Sequence, residues 1–289
     1  MSQLYLQVLI SGLLTGAVYS VIGIGFTLVF GVMKIVNFAH GHLVVVAMFV
    51  SYVLVVQCGM NPYLTLVAVV PLMFALGCLI HLGVIKRLIG VHDFEQIIAT
   101  IGVMIILENV MNLIFGGDMR GITGDYTTES VVIGSVMIPI GQAYAAIGSL
   151  ITVIALGVFL KTTAYGNALR ASADNLTGSF VVGIKVQRIY MFAFGLSCTL
   201  AGIAGTLMLP LSVISPFGGT DIIVKGFIIT IIGGLGSIFG ALIAGILVGA
   251  VESYSTLLGD GSYGNAVVFS LLIATLIFRP KGLFGGRAG

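Results

Sequence analysis

Continuous apolar runs constrain this chain more than any other feature. They fall at about 4–33, 43–57, 62–85, 96–115, 136–160, 189–209, 222–257 and 264–278. A helix needs about 20 apolar residues to cross the hydrocarbon core of a bilayer, and most of these runs approach or exceed that length. Within hydrocarbon every backbone N–H and C=O needs an internal partner, which leaves helices and closed barrels. Barrel strands alternate in polarity over about ten residues, and these runs do not alternate. Only 8% of the residues are charged against 58% hydrophobic, far below the roughly one quarter charged of a soluble domain. The expectation is an all-α polytopic membrane protein, one domain over residues 1–289.

The run 222–257 is too long for a single span, and Gly233-Gly234-Leu235-Gly236-Ser237 interrupts it. Splitting it there predicts a pair of shorter helices joined by a glycine turn, and eight to nine membrane segments in all. The first run, about Leu4 to Phe30, has no Lys or Arg before it. A secretory signal needs a basic leader and a shorter apolar stretch, so a retained span is expected.

Basic residues orient the spans. Lys86 and Arg87 flank one connection, Lys161, Arg170, Lys185 and Arg188 lie in another, and Arg279, Lys281 and Arg287 form a basic tail. The alternate connections carry Asp118, Asp125, Glu129, Asp221 and Asp260, with Arg120 the only base. Loops 86–95 and 161–188 and the C-terminus are therefore expected in the cytoplasm, with 116–135, 210–221 and, by counting back, the N-terminus outside.

Glycine is abundant, 41 of 289 residues. Helices in lipid associate by close packing through small residues, and Gly12-x-x-x-Gly16, Gly236-x-x-x-Gly240 and Gly245-x-x-x-Gly249 have the spacing for it. Packing within the chain explains them more simply than a dimer face. The scattered Cys58, Cys78 and Cys198 form no C-x-x-C and are expected to pack as small side chains.

Catalytic patterns are missing. The sequence contains no Gly-Lys dipeptide and hence no phosphate-cradling loop, no H-E-x-x-H, no metal-spaced His/Cys cluster and no G-x-S-x-G. Neither catalytic residues nor a cofactor are expected. His40 and His42 are two apart, which points them to different helix faces.

Two polar interruptions stand out. Asn37-Phe38-Ala39-His40-Gly41-His42, preceded by Lys34, reads most simply as a tight interhelical turn in which Asn37 caps the second helix. The alternative is a non-helical stretch at membrane depth, tolerated where it lies against protein or a water-filled path. Segment 161–188 is the longest connection, and Ala168, Leu169, Ala171 and Ala173 favour helix there. Asp174 or Asn175 can cap a second short helix bearing Leu176, Phe180 and Val181 on one side, with Gly183 as its stop. That apolar stripe either receives a partner or packs on the chain's own spans.

These segments carry a family resemblance. Gly166-x-x-x-Arg170-Ala171-x-x-Asp174-Asn175 followed by Gly183-Ile184 resembles the cytoplasmic coupling loop of ABC-importer permeases. Asn37-Phe38-Ala39-His40-Gly41 resembles the N-F-A-H-G signature of branched-chain amino acid permease subunits, and Gly233 to Ser237 with Gly240-Ala241 is similar to that family's G-G-x-G-S turn. The three motifs keep the family order over about 15–280. Ser179 stands where relatives usually have Ala, Gly178 sits beside it, and Phe239 replaces a frequent Pro. A glycine inside a helix costs about 1 kcal/mol relative to Ala, so the second short helix is expected to be short or to form on docking.

The resemblance implies a subunit of a bacterial inner-membrane importer, paired with a second homologous permease, two cytoplasmic ATPase subunits and a periplasmic solute-binding protein. It implies a substrate path touching Asn37, Phe38, His40 and Gly41. Coupling to the ATPase would use Gly166, Arg170, Ala171, Asp174, Asn175 and Gly183. Cargo is expected to be branched-chain amino acids, with amides or urea as alternatives in the same family. An ion-coupled secondary carrier is the rival of a different class, because Glu108, Lys225 and Glu252 fall within apolar runs and intramembrane charges are costly. Glu108 and Lys225, opposite in sign, are expected to pair with each other. No internal repeat of the kind common in carriers is evident.

Overall fold

The structure is a computed structural model that describes residues 2–134, 136–258 and 262–285; Asp260 and Arg287, used above to orient the chain, lie outside them. The long helices are α1 (Ser2–Met33), α2 (His40–Cys58), α3 (Leu66–Gly83), α4 (Asp93–Phe115), α6 (Ile140–Thr162), α9 (Val186–Met208), α10 (Gly219–Gly233), α11 (Ile238–Ser255) and α12 (Ser262–Phe278). Between them lie the one-turn α5 (Asp125–Thr128), the antiparallel hairpin of β1 (Ser130–Ile133) and β2 (Val136–Pro139), and the short α7 (Ala164–Asp174) and α8 (Leu176–Val181). Eight of the helical segments are long and apolar enough to cross a membrane, and α12 is a shorter apolar helix. The hairpin is the departure from the helical expectation, and it is confined to a connection.

The long apolar run divides where the glycines predicted. Gly234 and Gly236 take φ of 100° and 89°, left-handed conformations that side chains resist. Ser237 then opens α11 by accepting a hydrogen bond from Gly240 N–H at 3.0 Å. The last carbonyls of α10 are satisfied by the segment after α12: Leu283 N–H donates to Ile232 O and Phe284 N–H to Gly233 O.

Glycine spacing works within the chain. A Cβ on Gly12 would stand 2.8 Å from Gly249 O, and one on Gly16 would stand 2.7 Å from Ile246 Cα. Gly245 in turn meets the backbone of Ser20, and Gly249 that of Gly16. The two small-residue motifs therefore face each other across α1 and α11, and Ser20 Oγ ties the pair by donating to Leu242 O at 2.8 Å. Cys198, wholly buried beside Gly77, is a packing residue as expected.

Contacts sort the connections into two faces. On one, the end of α1 meets α7 and the 234–237 turn, while Gly234 meets Gly282 and Gly285. On the other, Arg120 bridges to Ile214, Gly141 meets Tyr126 and Pro210, and the Tyr63 hydroxyl donates to Gly141 O at 3.1 Å. Burial pushes the Tyr63 hydroxyl up to about 12, so it stays a donor. The core between the faces centres on α2 and α9, where every residue from His40 to Phe49 is buried.

Candidate functional site

The motif around Asn37 forms a break inside the bundle. α1 ends at Met33, and Lys34 turns the chain with φ of 59°, uncommon for a residue with a Cβ. Ile35 and Asn37 are then 1% and 2% exposed. α2 begins at His40, which lies against Gly25 in the body of α1 and Ser197 at the middle of α9. The stretch is thus non-helical backbone largely enclosed by protein, and not the surface turn that was the simpler expectation.

Nor does Asn37 cap α2. Its Oδ1 accepts from Ala39 N–H at 3.1 Å, a local turn, and the capping position belongs to Ala39, which has no side-chain acceptor. Within this break three buried nitrogens, Asn37 Nδ2, His40 Nε2 and His42 Nδ1, have no hydrogen-bond partner among the described residues. Buried polar atoms are nearly always paired, so this cluster departs from the ordinary core. Phe38 is partly exposed.

Gly41 explains itself by contact. Any side chain there would overlap the carbonyl of Gly219 and stand 2.7 Å from Ile223 N. The start of α10 therefore meets the start of α2 without an intervening side chain, and Gly219 lies against the His42 ring. His40 and His42 do diverge, as their spacing requires. Ser197 Oγ lies 3.4 Å from His40 Nδ1 while donating to Gly25 O at 2.8 Å, and His42 Nε2 lies 2.8 Å from Glu108 Oε2.

This last contact corrects the expected pairing of Glu108 with Lys225. Glu108 sits on α4, which packs on α2, whereas Lys225 looks toward α1 and α11. Lys225 Nζ donates to Glu252 Oε1 at 2.6 Å and to the Tyr19 hydroxyl at 3.0 Å, and lies 4.9 Å from the Tyr19 ring centre. Each charge was visible as an ionisable residue in an apolar run; the partner was not, because pairing runs between helices and is set by how they pack.

Segment 161–188 folds as two capped helices. Thr163 opens α7 by accepting from Gly166 N–H at 3.0 Å, and Asn175 opens α8 by accepting from Gly178 N–H at 2.8 Å. Of the two residues expected to cap α8, Asn175 does so. Gly166 is confined by Leu160, so α7 turns tightly off α6. Gly183 ends the unit with φ of 80°. Leu169 and Ser172 are buried, Ala171 is half-buried, and Arg170, Asp174 and Asn175 are exposed, Arg170 donating to Asn167 Oδ1 at 2.7 Å.

Leu176, Phe180 and Val181 are 43%, 59% and 82% exposed. The stripe does not pack on the chain's own spans. Ser179, by contrast, is buried on the opposite side of α8. Beneath α7 a cleft of about 240 Å³ lies between Leu169, Arg170 and Asp174, the end of α1 at Thr27 and Gly31, and Gly236 of the glycine turn. A displacement of α7 bears directly on both broken helices.

Eight long apolar helical segments, with two short capped helices on one face, define a multi-pass membrane protein. The comparisons place it more closely: the chain belongs to the family described as branched-chain amino acid transport system, permease component, which matches residues 8–276. It is 29% identical to the high-affinity branched-chain amino acid transport system permease protein BraD of Pseudomonas aeruginosa, covering 97% of this chain and 96% of that one. It is also 31% identical to the probable branched-chain amino acid transport permease protein LivH of Methanocaldococcus jannaschii, over 91% and 87% of the two chains. Among solved structures, PsaBC from Streptococcus pneumoniae in complex with Fab shares the fold, with a TM-score of 0.50, 14% identity, and 95% and 91% coverage. The chain is therefore a transport permease component and not an enzyme, and ATP hydrolysis in such systems lies on separate subunits.

Proposed function

We propose that this chain is a permease subunit of an ATP-driven importer of the bacterial inner membrane whose cargo is branched-chain amino acids. The observation that carries it is the pair of capped helices α7 and α8: the apolar stripe of α8 is exposed, and α7 covers a cleft bounded by the end of α1 and by Gly236 of the glycine turn. The chain has no phosphate loop, so force must arrive from a partner, and this face is shaped to receive it. The face holding 85–88, 163–185 and 279–285 bears Lys86, Arg87, Arg170, Lys185, Arg279 and Lys281, which favours placing it in the cytoplasm.

In this reading two ATPase subunits seat on α8 of this chain and on its counterpart in a second homologous permease. A periplasmic solute-binding protein delivers cargo at the hairpin-bearing face. Arg170, Ala171, Asp174 and Asn175 form the docked unit, with Gly166 and Gly183 as its turns. Movement passes through the cleft to the break at 34–39, where Asn37, Phe38, His40 and Gly41 gate the path. A two-state element is thereby biased from one end. The ion-coupled carrier loses its support because all three charged residues it relied on have partners, Glu108 in His42 and Lys225 and Glu252 in each other.

Cysteines at Val181 and at Asp174, crosslinked to the ATPase subunit within the assembled complex, test the docking. Crosslinks that form and respond to nucleotide are expected. An assembled complex without any crosslink overturns the reading.

A further inference from the structure

A chain of cavities runs from the hairpin-bearing face to the opening turns of α10 and α12. The outermost, about 320 Å³, is bounded in part by Tyr19, Gln142 and Met208. Tyr19 and Met208 also bound a space of about 40 Å³ together with Asp221 and Lys225. Those two charged residues in turn bound a third cavity of about 180 Å³ between α10 and α12. Shared walls make the three cavities one interrupted route, and its far end holds opposite charges.

The third cavity combines Asp221, Lys225 and Asn265 with Val224, Ile228 and Phe269. Asp221 and Lys225 are one helical turn apart on α10, about 5–6 Å between Cβ atoms. An ammonium group has three donors. Lys225 commits one to Glu252 and one to Tyr19, which leaves one. Asp221 is exposed and makes no ion pair among the described residues. A free carboxylate and a spare ammonium donor one turn apart, on an apolar floor, match the two ends of an amino acid.

We propose that this cavity is a transient site for the zwitterion during import: Asp221 receives the α-ammonium, Lys225 the α-carboxylate, and Val224, Ile228, Val268 and Phe269 an apolar side chain. At about 30 Å³ per water the cavity has room for about six waters, the scale of a small amino acid. Glu252 and Tyr19 hold the Lys225 head in place beside the cavity by the hydrogen bonds it donates to them. The proposal rests on the importer reading above.

The test uses the complete importer in proteoliposomes with its binding protein. Asp221→Asn is expected to slow leucine uptake about tenfold, the loss of one charge-assisted hydrogen bond. Val268→Phe, which narrows the cavity and leaves both charges in place, is expected to shift preference from leucine toward valine about tenfold, the discrimination that one methylene supports. Should Asp221→Asn fail to assemble, Val268→Phe decides alone. Assembled variants with leucine uptake and leucine-to-valine preference within about twofold of wild type overturn the site and leave the importer intact. A wild-type complex without ATP-driven amino acid uptake instead overturns the importer reading itself.

Discussion

Replacing Gly16 with Ala tests whether the glycines of α1 and α11 serve close packing inside the chain. The added Cβ would stand 2.7 Å from Ile246 Cα, 2.8 Å from Ile246 O and 2.9 Å from Gly245 O. All three are backbone atoms and cannot rotate aside. Ordinary contact begins at 3.4 Å, so restoring it requires the helices to part by 0.7 Å (3.4 minus 2.7). A gap of that size forfeits a quarter to a half of each nearby dispersion well. Overpacking a fitted interface costs about 1–3 kcal/mol, and a value of about 2 kcal/mol is expected here. At about 2–4 °C per kcal/mol for a chain of this length, the thermal midpoint in detergent should fall by about 4–8 °C. Gly157→Ala is the control, since nothing lies within 4 Å of its added Cβ and Ala favours helix. Equal midpoints for Gly16→Ala and Gly157→Ala would refute the packing argument. A Gly16→Ala chain of full stability that no longer assembles would assign the motif to a subunit interface instead.

Two further outcomes follow from the paired charge and the caps. Lys225→Met should lower the midpoint by leaving Glu252 without its cation, and Lys225→Met with Glu252→Leu should recover much of that loss while leucine uptake stays impaired; a double variant no more stable than the single one contradicts the pairing. Asn175→Ala removes the Gly178 N–H acceptor and should cost α8 about 1 kcal/mol, read as weaker ATPase binding to the purified permease pair; unchanged affinity contradicts a role for preformed α8 in docking.

The fold was legible in the sequence wherever one physical demand acted locally. Hydrocarbon forces helices, so the apolar runs gave the spans, and the glycines at 233–236 divided the long one. Asn175 and Gly183 marked the ends of α8 by the same local chemistry. Glycine spacing announced close packing but not that Gly12 and Gly16 would face Gly245 and Gly249. Charge pairing failed for the same reason, since sign and depth match Glu108 to Lys225 equally well, and only packing sets His42 and Glu252 beside them.

The break at 34–39 was harder still. Its composition resembles a surface turn, and its burial follows from α10 starting against α2, a contact between residues about 180 apart. The cavities along Tyr19, Asp221 and Lys225 have no sequence signature, because their walls come from α1, α9, α10 and α12.

The central claim is that ATP hydrolysed on separate subunits drives amino acid import through this chain. Leucine accumulation in proteoliposomes holding the complete assembly, with binding protein outside and ATP at the ATPase face, tests it most directly. Accumulation that requires ATP and the binding protein, and is indifferent to imposed proton or sodium gradients, is the predicted result. Accumulation driven by an ion gradient without ATP would contradict it.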